Sequence, residues 1–341
     1  MAPVRRAAPV LPLLLLAGVA LGACSEEPGP PPPPELTFTA VSFNTGTSES
    51  LRHDALPDDG YGYAEAMVSD AWYGDGLAWL PAVEATRRFF AEVAPDVVAF
   101  QEIFYSGECA DIPPEARTGF VCETWSDGDP TVAQTILGDG YQIACNLGKS
   151  DKCAAVRRDF GTFRGCDSDL CLEGLDGGIV DGCGSGSRIG RGVIDLVGGG
   201  TLTLVGVHGS SGISLEDMDC RVLQFEQVFV DLGDGAPAAN GAVNVVMGDL
   251  NTDPGRLVDG DPSAARFADF VGEGKAFHFV SDVGPRAPPT YSGILNIDHV
   301  ASDAFEGSCW VAGVTDGHPP VIDAVYFDHK PVVCTLGGDR P

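Results

Sequence analysis

The amino-acid sequence predicts an α+β fold or a β-sandwich faced by helices. Segments with strand character outnumber the segments whose apolar residues recur at helical spacing. Strands and helices do not follow one another in the regular alternation that a parallel βαβ fold requires, and no internal repeat is evident. The chain has 341 residues, of which about 36–341 are enough for one large hydrophobic core and do not require two domains.

The first half of the chain begins with a predicted strand at 36–43, where apolar and polar residues alternate up to Asn44. Residues 80–93 have apolar side chains at helical spacing, and Pro95 ends the predicted helix. Three further short strands are predicted at 97–100, 141–145 and 154–157, and we expect the last two to pair.

The second half opens with a segment at 161–190 that is rich in Gly, Asp and Cys, which predicts a loop pinned by disulfides. Gly198-Gly199-Gly200 separates two apolar runs and indicates a hairpin. Residues 215–232 place their apolar side chains on one side of a predicted helix. The other predicted elements are the hairpin strands 193–196 and 202–207, a buried strand at 244–247, a short helix at 264–271, and strands at 294–301 and 332–336.

The N-terminal residues have the pattern of an export signal. Two arginines precede an apolar run at 10–21, which is too short to span a bilayer. Small residues before Cys24 resemble a bacterial lipobox, in which cleavage leaves this cysteine lipidated; an ordinary secretory signal with an incidental cysteine is the alternative. We therefore predict a lipoprotein signal peptide at 1–23, a Pro-rich tether at 24–35 and one domain at 36–341.

The cysteine count fits an exported protein. Eleven cysteines are present, and setting Cys24 aside leaves ten, which suits up to five disulfides in an oxidising compartment. Short intervening loops favour the pairs 109–122, 145–153 and 309–334, although sequence alone does not fix the connectivity. A zinc cluster is the rival interpretation, but the sequence has no CxxC pair.

The net charge of −29 makes the protein strongly acidic. Such a charge repels a nucleic-acid polyanion at long range, so tight non-specific nucleic-acid binding is disfavoured. A phosphate substrate is not excluded, because a bound divalent cation reverses the local field.

Six predicted strands have a polar residue at one end that can bind a metal or move a proton. Such residues are costly next to a core unless they are paired or coordinated. They are Asn44, Glu102, His208, Asp249 with Asn251, Asp298 with His299, and Asp328 with His329. The spacing of Asp249 and Asn251 puts both on one face of a continued strand, whereas a simple Asx turn is the alternative for this pair.

This order of motifs over residues 36–336 resembles the endonuclease/exonuclease/phosphatase superfamily, to which pancreatic deoxyribonuclease belongs. The motifs are Gln101-Glu102, Gly248-Asp249-Leu250-Asn251, Ile297-Asp298-His299-Val300 and Asp328-His329-Lys330-Pro331. The resemblance implies a four-layer sandwich of two mixed β-sheets flanked by helices, with the site at one end. It also implies cleavage of phosphate esters with Mg²⁺, or with Mn²⁺ or Ca²⁺ as in some members.

The resemblance also implies roles for individual residues. Glu102 would be the principal Mg²⁺ ligand, with Asn44 and Asp328 nearby, which suits a cation that prefers oxygen ligands. His329 would be the general base that takes a proton from the attacking water, and Asp298 would hold its tautomer.

The remaining roles concern the phosphate. His208 would be a general acid or a donor to the phosphoryl oxygen, while Asp249 and Asn251 would position the water and the phosphate. Arg188 or Arg191 would bind phosphate, and spacing does not decide between them.

Some residues fall outside these roles or depart from the pattern. Asp151 lies where the superfamily often has a carboxylate that orients the second histidine; a solvated surface charge is the alternative for it and for both arginines. Strand alternation points His299 away from Asp298, so we expect it to be structural. Phe327 replaces the usual serine before the last motif. We expect His53, His278 and His318 to be surface or loop residues, and the aromatics of a long loop at 45–79 to form a satellite core.

Three functions follow as hypotheses. The first is a metal-dependent phosphodiesterase or nuclease, and the second is a phosphatase or phospholipase that acts on small or lipid phosphate esters. The third is a non-catalytic surface protein that uses the fold as a binding module. We expect an exported monomer that is anchored to a bacterial membrane or cell surface only by its N-terminal lipid.

Overall fold

The computed structural model describes residues 35–48, 50–53 and 59–339. The predicted signal peptide, Cys24 and the tether up to residue 34 lie outside the described residues.

The described residues form thirteen strands and five α-helices. The strands are β1 (Glu35–Asn44), β2 (Val97–Gln101), β3 (Tyr141–Asn146), β4 (Lys149–Arg157), β5 (Gly161–Phe163), β6 (Leu170–Leu175), β7 (Ile189–Leu196), β8 (Thr201–His208), β9 (Asn244–Asp249), β10 (His278–Phe279), β11 (Asp298–Ser302), β12 (Glu306–Val311) and β13 (Val332–Asp339). The helices are α1 (Tyr63–Tyr73), α2 (Leu80–Val93), α3 (Val132–Leu137), α4 (Leu215–Phe229) and α5 (Pro262–Ala268). Short 3₁₀ turns lie at Ser106–Asp111, Pro114–Ala116 and Val121–Glu123.

Two mixed β-sheets form the centre of the fold. The seven-stranded sheet has the order β12-β13-β1-β2-β4-β3-β6, and the six-stranded sheet has the order β10-β11-β9-β8-β7-β5. The pairs β1–β2, β3–β6 and β8–β9 are parallel, and the other pairs are antiparallel. The predicted α+β sandwich of two mixed sheets flanked by helices is confirmed.

Strand alternation divides the apolar side chains among three layers. Phe38 of β1 and Met247 of β9 belong to the layer between the two sheets. Phe43 faces the other way and packs with the helix residue Phe90, while Phe225 of α4 belongs to the core on the outer face of the second sheet. Burial of each such side chain contributes about 1.5–3 kcal/mol, so these layers hold the strand ends in a fixed arrangement.

Several local predictions are corrected by the structure. The segment 45–79 is not one long loop, because α1 forms within it. The segment 161–190 contains β5 and β6, and the strand predicted from residue 294 begins only at Asp298. The edge strand β12 was not predicted, because its outer residues are exposed and its sequence lacks a continuous apolar run.

Five disulfides join the ten cysteines of the described residues. The pairs Cys109–Cys122, Cys145–Cys153 and Cys309–Cys334 are those that short loops favoured. Cys166–Cys171 and Cys183–Cys220 complete the set, so these cysteines do not form a zinc cluster. Such a set fits an oxidising compartment. Within the part of the chain that is described, no helix has the length and apolar character needed to cross a bilayer.

Candidate active site

The strand ends of both sheets meet at one end of the sandwich. In the first sheet Asn44 of β1 is level with Gln101 of β2, which precedes Glu102. In the second sheet Asp249 is level with His208 on one side and with Asp298 on the other. The two sheets therefore bring residues that are far apart in sequence to one place.

Asp249 is the centre of this cluster and is fully buried. Its Oδ2 accepts hydrogen bonds from Asn44 Nδ2 at 3.2 Å and Asn251 Nδ2 at 2.8 Å, and its Oδ1 accepts from the Asn251 backbone N–H at 2.7 Å. The same Oδ2 lies 3.6 Å from His208 Nε2 and 3.7 Å from His329 Nε2. Burial raises the pKa of Asp249, although both histidines act against this rise.

His329 and Asp298 form a buried pair. His329 Nδ1 donates to Asp298 Oδ2 at 2.8 Å, which directs Nε2 towards Asp249. The ring of Tyr291 packs against His329 with the centroids 4.8 Å apart. Thr290 Oγ1 accepts the backbone N–H of Asp298 at 3.0 Å and so fixes the start of β11. Burial lowers the pKa of His329, but the surrounding carboxylates, Asp298 first, raise it well above the usual value.

Glu102 and His208 face each other across the two sheets. His208 Nε2 lies 3.3 Å from Glu102 Oε1. Burial alone would raise the pKa of Glu102, but the contact with His208 and the charges of His208, His329 and Lys152 lower it to about 2. Burial and Lys152 lower the pKa of His208, which therefore favours the neutral ring at neutral pH. Nδ1 of His208 is buried without a hydrogen-bond partner among the described residues.

The oxygen atoms around Gly46 fit a hard divalent cation. A Cβ at Gly46 would lie 1.9 Å from Glu102 Oε2 and 3.2 Å from Asn44 Oδ1, so both oxygens face the space that this glycine leaves open. Asp328 is buried with Oδ1 unpartnered among the described residues. Burial and the neighbouring carboxylates raise the pKa of Asp328 to about 6, although His329 lowers it. This carboxylate-rich donor set is of the kind that Mg²⁺ prefers.

A second group able to hold a metal shares no residue with the first. Asp249, Asp298 and His329 offer ligand atoms that all lie within 4.8 Å of one another. In this group the Nδ1–H of His329 is already committed to Asp298, an arrangement that suits proton transfer more than direct coordination. The oxygens near Gly46 are a separate group that could hold a cation.

Comparison with known proteins identifies the architecture. No protein-family model and no curated protein matches the sequence. A functionally unknown conserved protein from Enterococcus faecalis aligns over 88% of this chain and 100% of its own, with a TM-score of 0.51 and 12% identity. An endonuclease/exonuclease/phosphatase from Beutenbergia cavernae aligns over 88% of this chain and 71% of its own, with a TM-score of 0.50 and 18% identity. This chain has the endonuclease/exonuclease/phosphatase fold. At these identities the likeness establishes the fold alone.

Within the endonuclease/exonuclease/phosphatase fold, the two candidate arginines have different surroundings. Arg191 pairs with Asp176 at 2.9 Å and Asp234 at 2.7 Å, which commits it to a surface ion-pair group. Arg188 lines a small cavity together with Lys152 and His208, and its Nε is buried without a partner among the described residues. Arg188 is therefore the arginine placed near the cluster.

Asp151 does not orient the second histidine by a direct hydrogen bond in this structure. Its Oδ2 lies 2.6 Å from Lys152 Nζ, and the charge of Lys152 is the strongest influence that lowers the pKa of Asp151 against its burial. Lys152, the next residue in the sequence, pairs with the Asp151 carboxylate instead.

The other histidines lie outside the cluster. His299 is buried and points away from Asp298; its Nε2 donates to Asn296 O at 2.9 Å and its Nδ1 accepts from Ser281 Oγ at 3.1 Å. His53 lies in a loop, as one of the two predicted alternatives, and is buried there with ring nitrogens 2.8 Å from Val325 O and 2.6 Å from Ser48 O. His278 is half-buried in β10, and His318 stacks on Trp310 at 3.9 Å.

The aromatics of the 45–79 segment do not form a separate satellite core. Tyr61, Tyr73 and Trp79 are buried in the main core beside α2, and Tyr61 packs against Tyr326 at 4.7 Å. Tyr63 and Trp72 of α1 are about half exposed.

Four residues that shape the cluster were not predicted from the sequence. Gly46, Thr290 and Tyr291 lie between the named helices and strands, and Lys152 lies within β4. A glycine two residues after the strand-end Asn44 was a usable signal, because close approach to another chain segment often requires glycine. The contacts of the other three depend on long-range pairing that local patterns do not show.

Proposed function

We propose that this protein is a metal-dependent hydrolase of phosphate esters, acting as a phosphodiesterase or nuclease. The observation that carries the proposal is the buried pair of His329 and Asp298 beside Asp249, opposite the oxygens of Glu102 and Asn44. A base, its orienting carboxylate and a cation cradle around one space are what in-line displacement at phosphorus requires.

Each side chain of the cluster has its own role in the proposed reaction. His329 takes the proton of the attacking water through Nε2, while Asp298 holds the ring and stabilises the imidazolium. Asp249 and Asn251 orient the water and the phosphate. His208, neutral because of burial and Lys152, donates from Nε2 to a phosphoryl oxygen or to the leaving group. Arg188 adds positive charge for phosphate from the neighbouring cavity.

Glu102, Asn44 and Asp328 would hold the cation, for which Mg²⁺ is the first candidate and Mn²⁺ or Ca²⁺ are alternatives. When bound, a divalent cation would offset the excess of carboxylates, lower the pKa of His329 towards that of a working base and polarise the phosphate.

The acidity of the chain bears on the substrate. A net charge of −29 opposes the approach of a nucleic acid and favours small or lipid phosphate esters, which makes a phosphatase or phospholipase the second candidate. Export with attachment through a lipid on Cys24 is part of the proposal, and five disulfides are compatible with it.

The test uses the purified protein with its disulfides formed. An aryl phosphodiester, an aryl phosphomonoester, plasmid DNA and a choline phospholipid are each assayed with Mg²⁺ and with EDTA. We expect EDTA to abolish activity and His329→Ala to lower kcat by about 10²–10⁴-fold, since it removes the base. His278→Gln, in a histidine far from the cluster, is the matched control and retains wild-type activity.

A second pair of variants tests the cation cradle. Gly46→Ala places a methyl group against Glu102 Oε2, so higher Mg²⁺ concentrations are needed for half-maximal activity. Gly140→Ala, where no atom lies within 4 Å of the added Cβ, leaves the Mg²⁺ titration unchanged. Activity that survives both EDTA and His329→Ala would contradict the mechanism, and inactivity on all four substrates with any divalent metal would favour a binding module.

A further inference from the structure

Arg221 of α4 is a fully buried guanidinium beneath the cluster, with an exposed fraction of 1%. Its Nη1 donates to the carbonyl oxygens of Ser210 at 2.8 Å and Gly212 at 2.9 Å. Its Nη2 lies 3.1 Å from Asp261 Oδ2, and its Nε donates to Ser263 Oγ at 2.9 Å. All three guanidinium nitrogens of Arg221 therefore donate hydrogen bonds. Their acceptors belong to two segments, one after β8 and one that leads from β9 into α5.

The first loop follows His208 directly. Gln224, one turn further along α4, supports it as well: Oε1 accepts the Ser210 N–H and Nε2 donates to Ser210 Oγ, both at 2.8 Å. Gly209 is packed so closely that a Cβ there would lie 2.3 Å from Leu250 O. The carbonyl of Gly209 in turn accepts from Asn251 Nδ2 at 3.0 Å.

The second loop follows Asn251. Asp261, the ion-pair partner of Arg221, also accepts from Thr252 Oγ1 at 2.6 Å, and Thr252 is the next residue after Asn251. Arg221 thus reaches Asn251 by two routes, through Gly209 and through Thr252. Asn251 has a φ of 52°, a left-handed conformation that asparagine tolerates but that its surroundings must maintain.

We propose that Arg221 is a positioning residue of the phosphate subsite. It holds the loops after β8 and β9 together, so that the amide of Asn251 stays fixed between the Gly209 carbonyl and the carboxylate of Asp249. The inference rests on the proposed function, in which Asp249 and Asn251 bind the phosphate of the substrate at this subsite.

A purely structural role for this ion pair is the alternative. A buried ion pair contributes little stability compared with an apolar replacement of similar volume. Apolar residues such as Phe225 and Val228 already attach α4 to the sheet. Arg266 provides the comparison. It pairs with Glu226 of α4 at 3.3 Å and with Asp269 at 3.0 Å, and its polar contacts within the described residues include neither loop.

The experiment compares three variants of the full chain. Arg221→Met alone leaves the charge of Asp261 buried and unpaired, so Arg221→Met with Asp261→Asn is the charge-balanced version. Arg266→Met is the matched control. We expect the two Arg221 variants to lose about 10–100-fold in kcat/KM and to bind inorganic phosphate more weakly in calorimetry, while the control keeps both values.

Gln224→Leu removes only the support at Ser210 and gives a smaller loss in the same direction. A fall in Tm without any change in kcat/KM or phosphate affinity, in all of these variants, would overturn the inference. An inactive wild-type protein would instead count against the proposed function. In that case a crystal structure of the charge-balanced variant decides: an Asn251 amide turned away from Asp249 supports the positioning role, and an unchanged amide overturns it.

Discussion

Two residues of the cluster have backbone conformations that non-glycine residues rarely adopt. Glu102 has a φ of 57° and Asn251 a φ of 52°, and only three other non-glycine residues of the described ranges have positive φ. Such conformations cost of order 1–3 kcal/mol each and persist where the surroundings enforce them. Glu102 lies directly after β2 and Asn251 lies two residues after β9, and both side chains contact residues of the cluster. The strain therefore coincides with the residues that the proposed mechanism uses.

The lowered pKa of His299 predicts how the stability of the protein depends on pH. Burial lowers its pKa to about 4, although the Asn296 carbonyl and Asp253 act in the opposite direction. In the unfolded chain a histidine has a pKa of about 6.5, so below that pH the unfolded state binds more protons. The stability contributed by the neutral ring is therefore complete above about pH 6.5 and is lost as the pH falls towards 4.

The measurement is urea unfolding of the wild type and His299→Gln, in EDTA, from pH 7 to pH 4. The free-energy difference between the two proteins should fall by about 3 kcal/mol over this range, because only the wild type has the buried titrating ring. A difference that does not change with pH would show that His299 is not held neutral.

At the scale of elements, α4 fastens several segments of the cluster. Arg221 and Gln224 hold the loop after β8, and Cys220 is bonded to Cys183 in the segment that leads to Arg188. The same helix therefore supports both the residues that face the phosphate and the arginine in the adjacent cavity.

Removal of the Cys183–Cys220 bond tests this arrangement. With both cysteines changed to serine, we expect stability to fall by about 2–4 kcal/mol and KM to rise, since Arg188 loses its anchored segment while His329 and Asp298 stay in place. Changing Cys309 and Cys334 to serine is the matched control, because that bond joins the edge strand β12 to β13: stability falls but KM does not. An equal KM for both variants would contradict a role for the bond at the site.

The elements also show what the sequence could and could not predict. The helix Leu80–Val93 was predicted to the residue, because its spacing is amphipathic and Pro95 follows it. The strand end at Asn44 was predicted because a buried run stops there at a polar residue. The strand predicted at 244–247 is longer in the structure, where β9 continues to Asp249. The helix α1 was missed because its apolar pattern is weak, and the contacts of Arg221 and Lys152 were missed because they depend on how distant strands and loops meet.

At the scale of the whole molecule, two cationic side chains lie beside a carboxylate-rich cluster in an acidic protein. Lys152 and Arg188 line a small cavity next to His208, whereas most other arginines of the described residues pair with carboxylates. Long-range repulsion and short-range attraction therefore act on the same anionic substrate. A small ester can enter more readily than a polyanion, because it presents less negative charge to the acidic surface on its way to these cations.

The strand β1 has a mechanical consequence for an anchored protein. It enters the domain at Glu35 and brings Asn44 to the cluster nine residues later, a rise of about 30 Å. A chain held by a lipid at Cys24 would be pulled at one pole of the sandwich while its reactive groups occupy the other. Under the proposed lipid attachment, β1 would keep the cluster about 30 Å from the point at which the tether enters the domain.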